Sequence, residues 1–480
     1  MITSIDQEFA GADLNDARLT KRAMMIAARW AASPDASFPK MVPAGAELGG
    51  LYGFFENDAV EYASLLEAHK QQTLRRIDAE HGAATLVLHD TTSFSFGGEG
   101  HRDDVGWIDR NTQGFFAHFA LAVSADGSRR PFGVVGLHIF MRDRPPPRAE
   151  KEAKEAVSKK ERAANPDRES LRWGELVQET STLLRGHAVP IHIVDREAES
   201  YEFLAKMITG GHRFVARARV LDRAVFCLSD ETMKPAKLRV IAERSVPIAE
   251  RGVHLNRRRM SPLPSQNKKH PPRDARDTRL EVAATTIQMQ RPEYLNEALP
   301  HTITMNVVHV REVDPPDGVE PVEWTLLTTE PIENAEDVLR IVDYYRARWT
   351  IEEFFKAIKT GCAYETRQLE SAQALFIALA FCIPIAWQML LLRTQGRTDP
   401  EAPASSVVTE ERLDVLRTIA RKPLPPNPTA RQVYYAIAAL GGYLERNGPP
   451  GWKTLREGLD RVLFAEQVLA ADAARRRCGQ

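Results

Sequence analysis

The chain has 480 residues, 43% of them apolar and 27% charged, the ordinary mixture of a soluble globular protein built from several domains. With 64 Lys and Arg against 65 Asp and Glu, the net charge is −1, so a nucleic-acid partner is not announced by global charge and must be met by local patches. Cys227, Cys362, Cys382 and Cys478 stand far apart with no C-x-x-C pair, which argues against a structural zinc site or a disulfide framework and fits a reducing cytoplasm.

The first residues, MITSIDQEFAGADLND, are polar and acidic and do not read as a signal peptide. Residues 1–75 read as helical: Leu19, Ala23, Ile26, Ala27 and Trp30 recur at helical spacing, with Arg18, Lys21, Arg22 and Arg29 among them. Strands follow. Residues 85–90 are a short apolar run ending in the carboxylate of Asp90, and 115–123 and 132–140 are joined by a tight turn at Asp126-Gly127. Residues 144–165 are Pro-rich and then highly charged, an exposed loop or solvated helix. A helix over 169–185 precedes a buried-type strand at 189–194, which ends in a second carboxylate, Asp195. A helix over 198–209 and a strand over 213–220 come next.

Residues 221–330 are rich in β-branched residues and turns, and read as a β insertion. Its basic stretch 257–279 is either DNA-facing or merely solvated. Helix returns over 334–359 and continues to about 477. Within it, residues 374–392 (ALFIALAFCIPIAWQMLLL) are nearly long enough to span a bilayer. Pro384 and Gln388 interrupt the run, so one or two buried helices kinked at Pro384 are expected, and no membrane association. The first three strands pair as an antiparallel meander and the later ones need helical crossovers, giving a mixed α/β sheet flanked by helices.

The chemistry begins on the helix near 350. Tyr345, Arg348, Glu352, Lys356 and Lys359 share one face within roughly 80° if the helix is continuous. Ile351, Phe354 and Ile358 fall opposite. A solvated amphipathic helix with ion pairs gives the same pattern. Asp90 and Asp195 each follow an apolar strand, where catalytic groups of open sheets gather, although an Asx turn or a helix N-cap explains either one singly. Three convergent carboxylates ionise together only beside a cation. Hard oxygen ligands select Mg²⁺ or Mn²⁺, and two such ions clamp the oxygens of a phosphoryl transfer. Arg348, Lys356 and Lys359 beside them suit phosphates.

The segment Y-x-x-R-W-x-I-E-E-F-x-K-A-x-K-T-G at 345–361 resembles the signature of bacterial DDE transposases of the insertion-sequence-four family. Its Y-(2)-R-(3)-E-(6)-K pattern is met by Tyr345, Arg348, Glu352 and Lys359. H-D-T-T-S-F-S at 89–95 is similar to the family's first-aspartate motif and V-D-R-E-A-E at 194–199 to its second. W-T-L-L-T-T-E-P-I-E at 324–333 and A-I-A-A-L-G-G-Y at 436–443 also match in order. At 52–57 (YGFFEN) the family has two arginines where this chain has Gly53 and Glu56, which points to different recognised DNA ends.

The resemblance implies an RNase H-like core interrupted by a β-rich insertion (about 221–330), within a catalytic region 76–370. It implies a helical DNA-end-binding domain 1–75, using Arg18, Lys21, Arg22 and Arg29, and a helical dimerisation domain 371–480. Asp90, Asp195 and Glu352 would bind two Mg²⁺ ions, with Mn²⁺ able to substitute. The enzyme would nick double-stranded DNA at transposon inverted-repeat ends, pass through a hairpin and join the 3′-OH to target DNA as a synaptic homodimer at the bacterial nucleoid. Trp324 would stack on a flipped base, and Tyr345, Arg348 and Arg217 would hold phosphates. From the residues alone Trp324 reads as a core strand residue, and Arg217 is equally a surface strand residue. A nuclease without strand transfer, a non-catalytic DNA-binding protein and a membrane protein remain as rivals.

Overall fold

The computed structural model describes the chain apart from residues 1–3, 43–44, 81–83, 98–100, 147–157, 231–233, 262–263, 265–266, 268–270 and 479–480. Much of the expected charged loop 144–165 and part of the basic stretch 257–279 therefore lie outside the described residues. The principal helices, in chain order, are α1 (Ala17–Ala32), α2 (Ala46–Phe55), α3 (Tyr62–Asp78), α4 (Arg172–Leu183), α5 (Tyr201–Thr209), α6 (Ala335–Ala347), α7 (Trp349–Lys356), α8 (Ala372–Thr398), α9 (Glu410–Ile419), α10 (Ala430–Leu440) and α11 (Trp452–Cys478). The strands are β1 (Thr85–Ser95), β2 (Gly114–Ser124), β3 (Pro131–Phe140), β4 (Pro190–Val194), β5 (Arg213–Arg217), β6 (Ala224–Cys227), β7 (Pro235–Lys237), β8 (Pro247–Leu255), β9 (Arg276–Gln290), β10 (Thr302–Val313) and β11 (Glu323–Thr328). They fall into two units. The first is Met1–Glu155, Gln178–Val189 and Trp349–Gln480; the second is Ala156–Val177 and Pro190–Arg348.

The first unit holds the expected meander. β1 pairs antiparallel with β2, and β2 with β3. Their inward residues are aromatic and β-branched, and Val87, Phe115, Phe119 and Val134 are fully buried. α8 is the core helix of this unit. Of the one or two buried helices expected, it forms one, which passes through Pro384. It is long and apolar enough to cross a membrane, yet 89% of its most apolar stretch is buried inside the protein. Phe381 on α8 meets Phe9, Trp30, Phe54 and Phe55, with ring centroids 4.8–6.0 Å apart. The alternating apolar residues of α1 and α2 are thus explained: they line one aromatic core with α8. Further along, α10 and α11 touch backbone to backbone. A Cβ on Gly458 would lie 1.9 Å from the Ile437 carbonyl, and one on Gly441 would lie 1.9 Å from that of Thr454, so only glycine permits this approach.

The second unit holds an eight-stranded mixed sheet. Its order is β4-β5-β11-β10-β9-β6-β7, with β8 on β9. β4 and β5 are parallel; β5–β11, β11–β10 and β10–β9 are antiparallel. The residues read as an insertion, 221–330, supply β6 to β11 and extend the sheet from β5. A core of Trp173, Tyr201, Phe203, Leu204, Phe214, Met289 and Met305 among others fills this unit.

Candidate functional site

Asp90 does not end its strand. β1 runs on to Ser95, because Thr91–Ser95 keeps pairing with 114–118 of β2 and Thr and Phe suit a pleated surface. Asp90 is half-buried in mid-strand, opposite Phe119 in register, and its carboxylate accepts the Thr91 N–H at 2.8 Å. Directly opposed residues of an antiparallel pair project to the same face. On that face Phe119 packs against Phe354 and Phe355 of α7, at centroid distances of 5.8 and 5.6 Å. Glu352 sits on the same helix, half-buried. The side of β1 that bears Asp90 is therefore the side on which the Glu352 helix is seated.

Two lysines follow Glu352. Lys359 donates to the Ser93 carbonyl at 2.6 Å, lies 3.8 Å from Glu365 and stands over the Phe94 ring. It is tied to β1 three residues beyond Asp90. Glu365, which the sequence reading passed over, completes the tie by accepting the Ser95 N–H at 2.9 Å. Lys356 is exposed, donates to Glu353 at 2.7 Å and lies 5.0 Å from the Trp349 ring. Partial burial lowers its pKa, against the opposing charge of Glu352. Beside Asp90, burial pushes the pKa of His89 well down, with the charges of His118 and His138 adding to the effect. His89 is thus a neutral imidazole at physiological pH.

The single continuous helix expected over 334–359 is not what forms. α6 stops at Ala347, α7 begins at Trp349, and residues 357–361 wind as one π-helical turn. Arg348 between them keeps a right-handed helical backbone, its N–H donating to the Tyr345 carbonyl at 3.1 Å. The one-face projection of Tyr345, Arg348, Glu352, Lys356 and Lys359 assumed uniform α-helical rotation, and the interruption and the π turn both break it. Its apolar half is correct: Ile351, Phe354 and Ile358 are fully buried.

In the second unit, five of the anticipated residues gather. Arg217 on β5 opposes Leu326 on β11, and Trp324 lies two residues earlier on that strand. Arg217 and Trp324 therefore share a face. Tyr345 of α6 meets Trp324 edge to face, 5.7 Å between centroids. Burial raises the Tyr345 pKa, the charge of Asp195 raises it further, and Arg348 and Arg217 oppose both, Arg217 also through a side-chain hydrogen bond. Asp195 caps the short turn 196–198, accepting the Arg196 N–H at 2.6 Å, so the N-cap reading and proximity to Tyr345 hold together. Glu199, four residues on and absent from the sequence reading, is buried. It accepts the N–H groups of Arg219 and Val220 at 2.7 and 2.9 Å, fixing the backbone after Arg217. Its position in V-D-R-E-A-E was the available signal.

The N-terminal basic residues differ among themselves. Arg18 is highly exposed and pairs with Asp16, and Lys21 is exposed. Arg22 donates to the Gly50 carbonyl at 2.9 Å and Arg29 lies 3.3 Å from Glu47, so both are engaged with α2.

The three carboxylates are divided, with Asp90 and Glu352 in the first unit and Asp195 in the second. Among the described residues no three His, Cys, Asp or Glu side chains stand close enough together to hold a metal ion. The donor set, three half-buried carboxylates, is nonetheless the chemistry that suits a hard divalent cation.

Two family models match the chain: transposase DNA-binding over residues 3–60 and the transposase DDE domain over residues 178–387. Among solved structures, the piggyBac transposase synaptic complex with hairpin DNA, determined by cryo-electron microscopy, aligns with a TM-score of 0.34 at 9% identity. The alignment covers 82% of this chain and 73% of that one.

Proposed function

Because the chain is a DDE transposase, a metal-dependent DNA nuclease and strand transferase, we propose that it moves its DNA segment by cut and paste on an RNase H-like core. An antiparallel meander followed by a parallel β4–β5 pair with intervening helices supports that core. The catalytic residues are Asp90, Asp195 and Glu352. They would hold two Mg²⁺ ions, or Mn²⁺ in their place, which when bound clamp the attacking and leaving oxygens of phosphoryl transfer.

The observation that carries the reading is the gathering of Trp324, Tyr345, Arg217 and Arg348 about Asp195. An aromatic face bounded by guanidinium groups and a phenol suits an extruded nucleotide and its phosphate, since stacking compensates for lost pairing. In the proposed sequence, hydrolysis nicks one strand at the transposon end. The freed 3′-OH attacks the opposite strand to close a hairpin while Trp324 stacks on a flipped base. Water reopens the hairpin, and the 3′-OH attacks target DNA. Tyr345, Arg348 and Arg217 bind the adjacent phosphates, with Lys356 and Lys359 on the Glu352 side. Residues 1–75 bind the DNA ends through Arg18 and Lys21, with Arg22 and Arg29 nearby, and 371–480 join two copies into a synaptic homodimer.

The test is cleavage of a labelled duplex carrying the gene's own flanking inverted repeat, with Mg²⁺ or EDTA. We expect metal-dependent nicks at the repeat boundary, lost in Glu352→Ala and Asp195→Ala while binding persists. Cutting that ignores the repeat would replace this reading with that of a nuclease, and nicking retained by either variant would remove that carboxylate from the triad.

A further inference from the structure

The β8–β9 ribbon of the second unit carries a run of cations, and most of them are matched. Arg251 pairs with Asp343, His254 with Asp277, Arg257 with Asp274, Arg276 with Glu312 and Arg279 with Glu250. Among the described residues, Arg258 and Arg273 of the same ribbon have only backbone acceptors. Arg258 donates to the Pro271 carbonyl at 3.4 Å and Arg273 to that of Asn256 at 3.3 Å, both long for hydrogen bonds.

These two arginines face each other. The β8–β9 register ends with Leu255 against Arg276, and three residues further on each side Arg258 and Arg273 form an isolated antiparallel bridge. Each donates its N–H to the other's carbonyl, at 2.8 and 3.0 Å. Residues paired in this way project their side chains to the same face, with Cα atoms about 5.5 Å apart, and like charges directly opposed there are destabilising. Both residues are half-buried. Burial lowers the Arg273 pKa, and the like charges of Arg258 and Arg276 lower it further, with Glu312 opposing them. Glu312 is already engaged: the Arg276 fork donates to both of its oxygens at 2.9 Å, and it accepts the Val322 N–H at 2.9 Å. The bridge itself is made by backbone, so the fold does not require two arginines there. A guanidinium carries several donors, and the pair leaves two forks side by side with most of those donors unspent.

We propose that Arg258 and Arg273 form a clamp on the β8–β9 ribbon that holds a backbone phosphate of duplex DNA, through different residues from those gathered about Asp195. The proposal rests on the reading of the chain as a DNA transposase. Guanidinium forks match phosphate oxygens, and an anion between them removes the repulsion of the opposed charges. A two-stranded β-ribbon also fits a DNA major groove, whose rims are phosphates. Such a contact positions the duplex and reads no base.

The experiment uses the full chain and measures affinity across a salt series for two duplexes of equal length, one of random sequence and one carrying the inverted repeat. Each phosphate contact contributes roughly 0.9 to the slope of log K against log salt. The double variant Arg258→Gln/Arg273→Gln should lower the slope by about one and weaken binding of both duplexes about tenfold near 0.1 M salt. Arg279→Gln, which removes a cation already paired with Glu250, should change either quantity far less. Without DNA, each single Gln variant should melt at or above the temperature of wild type, because it relieves one opposed charge. A double variant with wild-type slope and affinity, or an equal loss in Arg279→Gln, would overturn the clamp. A loss confined to the inverted-repeat duplex would replace phosphate contact with base reading, and a lower melting temperature in the single variants would show that the charges are not in conflict. Wild type failing to bind either duplex would instead overturn the transposase reading, so the two failures are distinct.

Discussion

Replacing Glu8 by alanine should destabilise the first unit by about 3–5 kcal/mol, the usual cost of orphaning one partner of a buried ion pair. The geometry sets that size. Glu8 is fully buried and pairs with Arg76, while the ring of His69 donates from Nδ1 to its other oxygen at 2.7 Å. Burial pulls the His69 pKa down to about 3, so the imidazole is neutral and its Nε2 is free to accept the Val134 N–H at 3.1 Å. Arg76 donates to the Phe132 carbonyl at 2.8 Å and stacks 3.6 Å from the Trp387 ring. Burial brings its pKa down to about 9, still charged at neutrality. Glu8→Ala would strand that charge among apolar groups. Urea unfolding followed by tryptophan fluorescence measures the loss, and Arg76→Met in the same background should recover more than about 1.5 kcal/mol of it, the signature of coupled neighbours. A loss under about 1 kcal/mol, or strictly additive single variants, would refute the argument. Glu8 lies in the transposase DNA-binding match, so the same variant should also weaken duplex binding if this network holds that segment in place.

Two further outcomes follow. Trp324→Ala should slow hairpin formation more than the first nick, read by resolving both products on a denaturing gel over time; equal slowing of both steps would mean that the indole does not stack on a flipped base. Asp460 carries a pKa raised to about 7, chiefly by burial and then by the charge of Asp35. A carboxyl that binds its proton more tightly when folded adds stability below its unfolded pKa near 3.8, and this is lost as pH rises through about 7. Stability should therefore fall between about pH 4 and about pH 7, and Asp460→Asn should flatten that fall. An unchanged pH profile in the variant would show that another group controls it.

The strands and the buried faces were legible because burial writes period and composition into local sequence. Residues 115–123 and 189–194 read as core strands, and Phe115, Val123, Ile191 and Ile193 are fully buried. The apolar run on α8 was correctly assigned to the interior as one or two helices, and it forms one, because Pro removes one N–H without forbidding the helix when the surrounding packing is dense. The break at Arg348 left no local trace: Y-Y-R-A-R-W-T-I-E-E contains neither Gly nor Pro and has good helix formers on both sides. The extension of β1 beyond Asp90 was hidden because Thr-Thr-Ser reads equally as a turn, and only pairing with β2 decides it. Glu199 and Glu365 went unread for a related reason. Their partners are backbone N–H groups at Arg219, Val220 and Ser95, and a side chain that binds remote backbone has no sequence periodicity.

The interruption at Arg348 gives the tyrosine–arginine–glutamate–lysine signature a different physical meaning from the one its spacing proposes. As one helical face it would be a single device. In the fold its first half, Tyr345 and Arg348, belongs with Trp324, Arg217 and Asp195 in the second unit, where an aromatic pair and two guanidinium groups surround a phenol whose ionisation burial suppresses. Its second half, Glu352 to Lys359, belongs to the first unit, where Phe354 and Phe355 seat it on the strand face of Asp90 and Lys359 is fastened to the backbone of that strand. In the proposed reaction the first set grips the nucleotide and the second presents carboxylate to the reacting phosphate. One short stretch of chain thus contributes to both units, its two halves divided at Arg348.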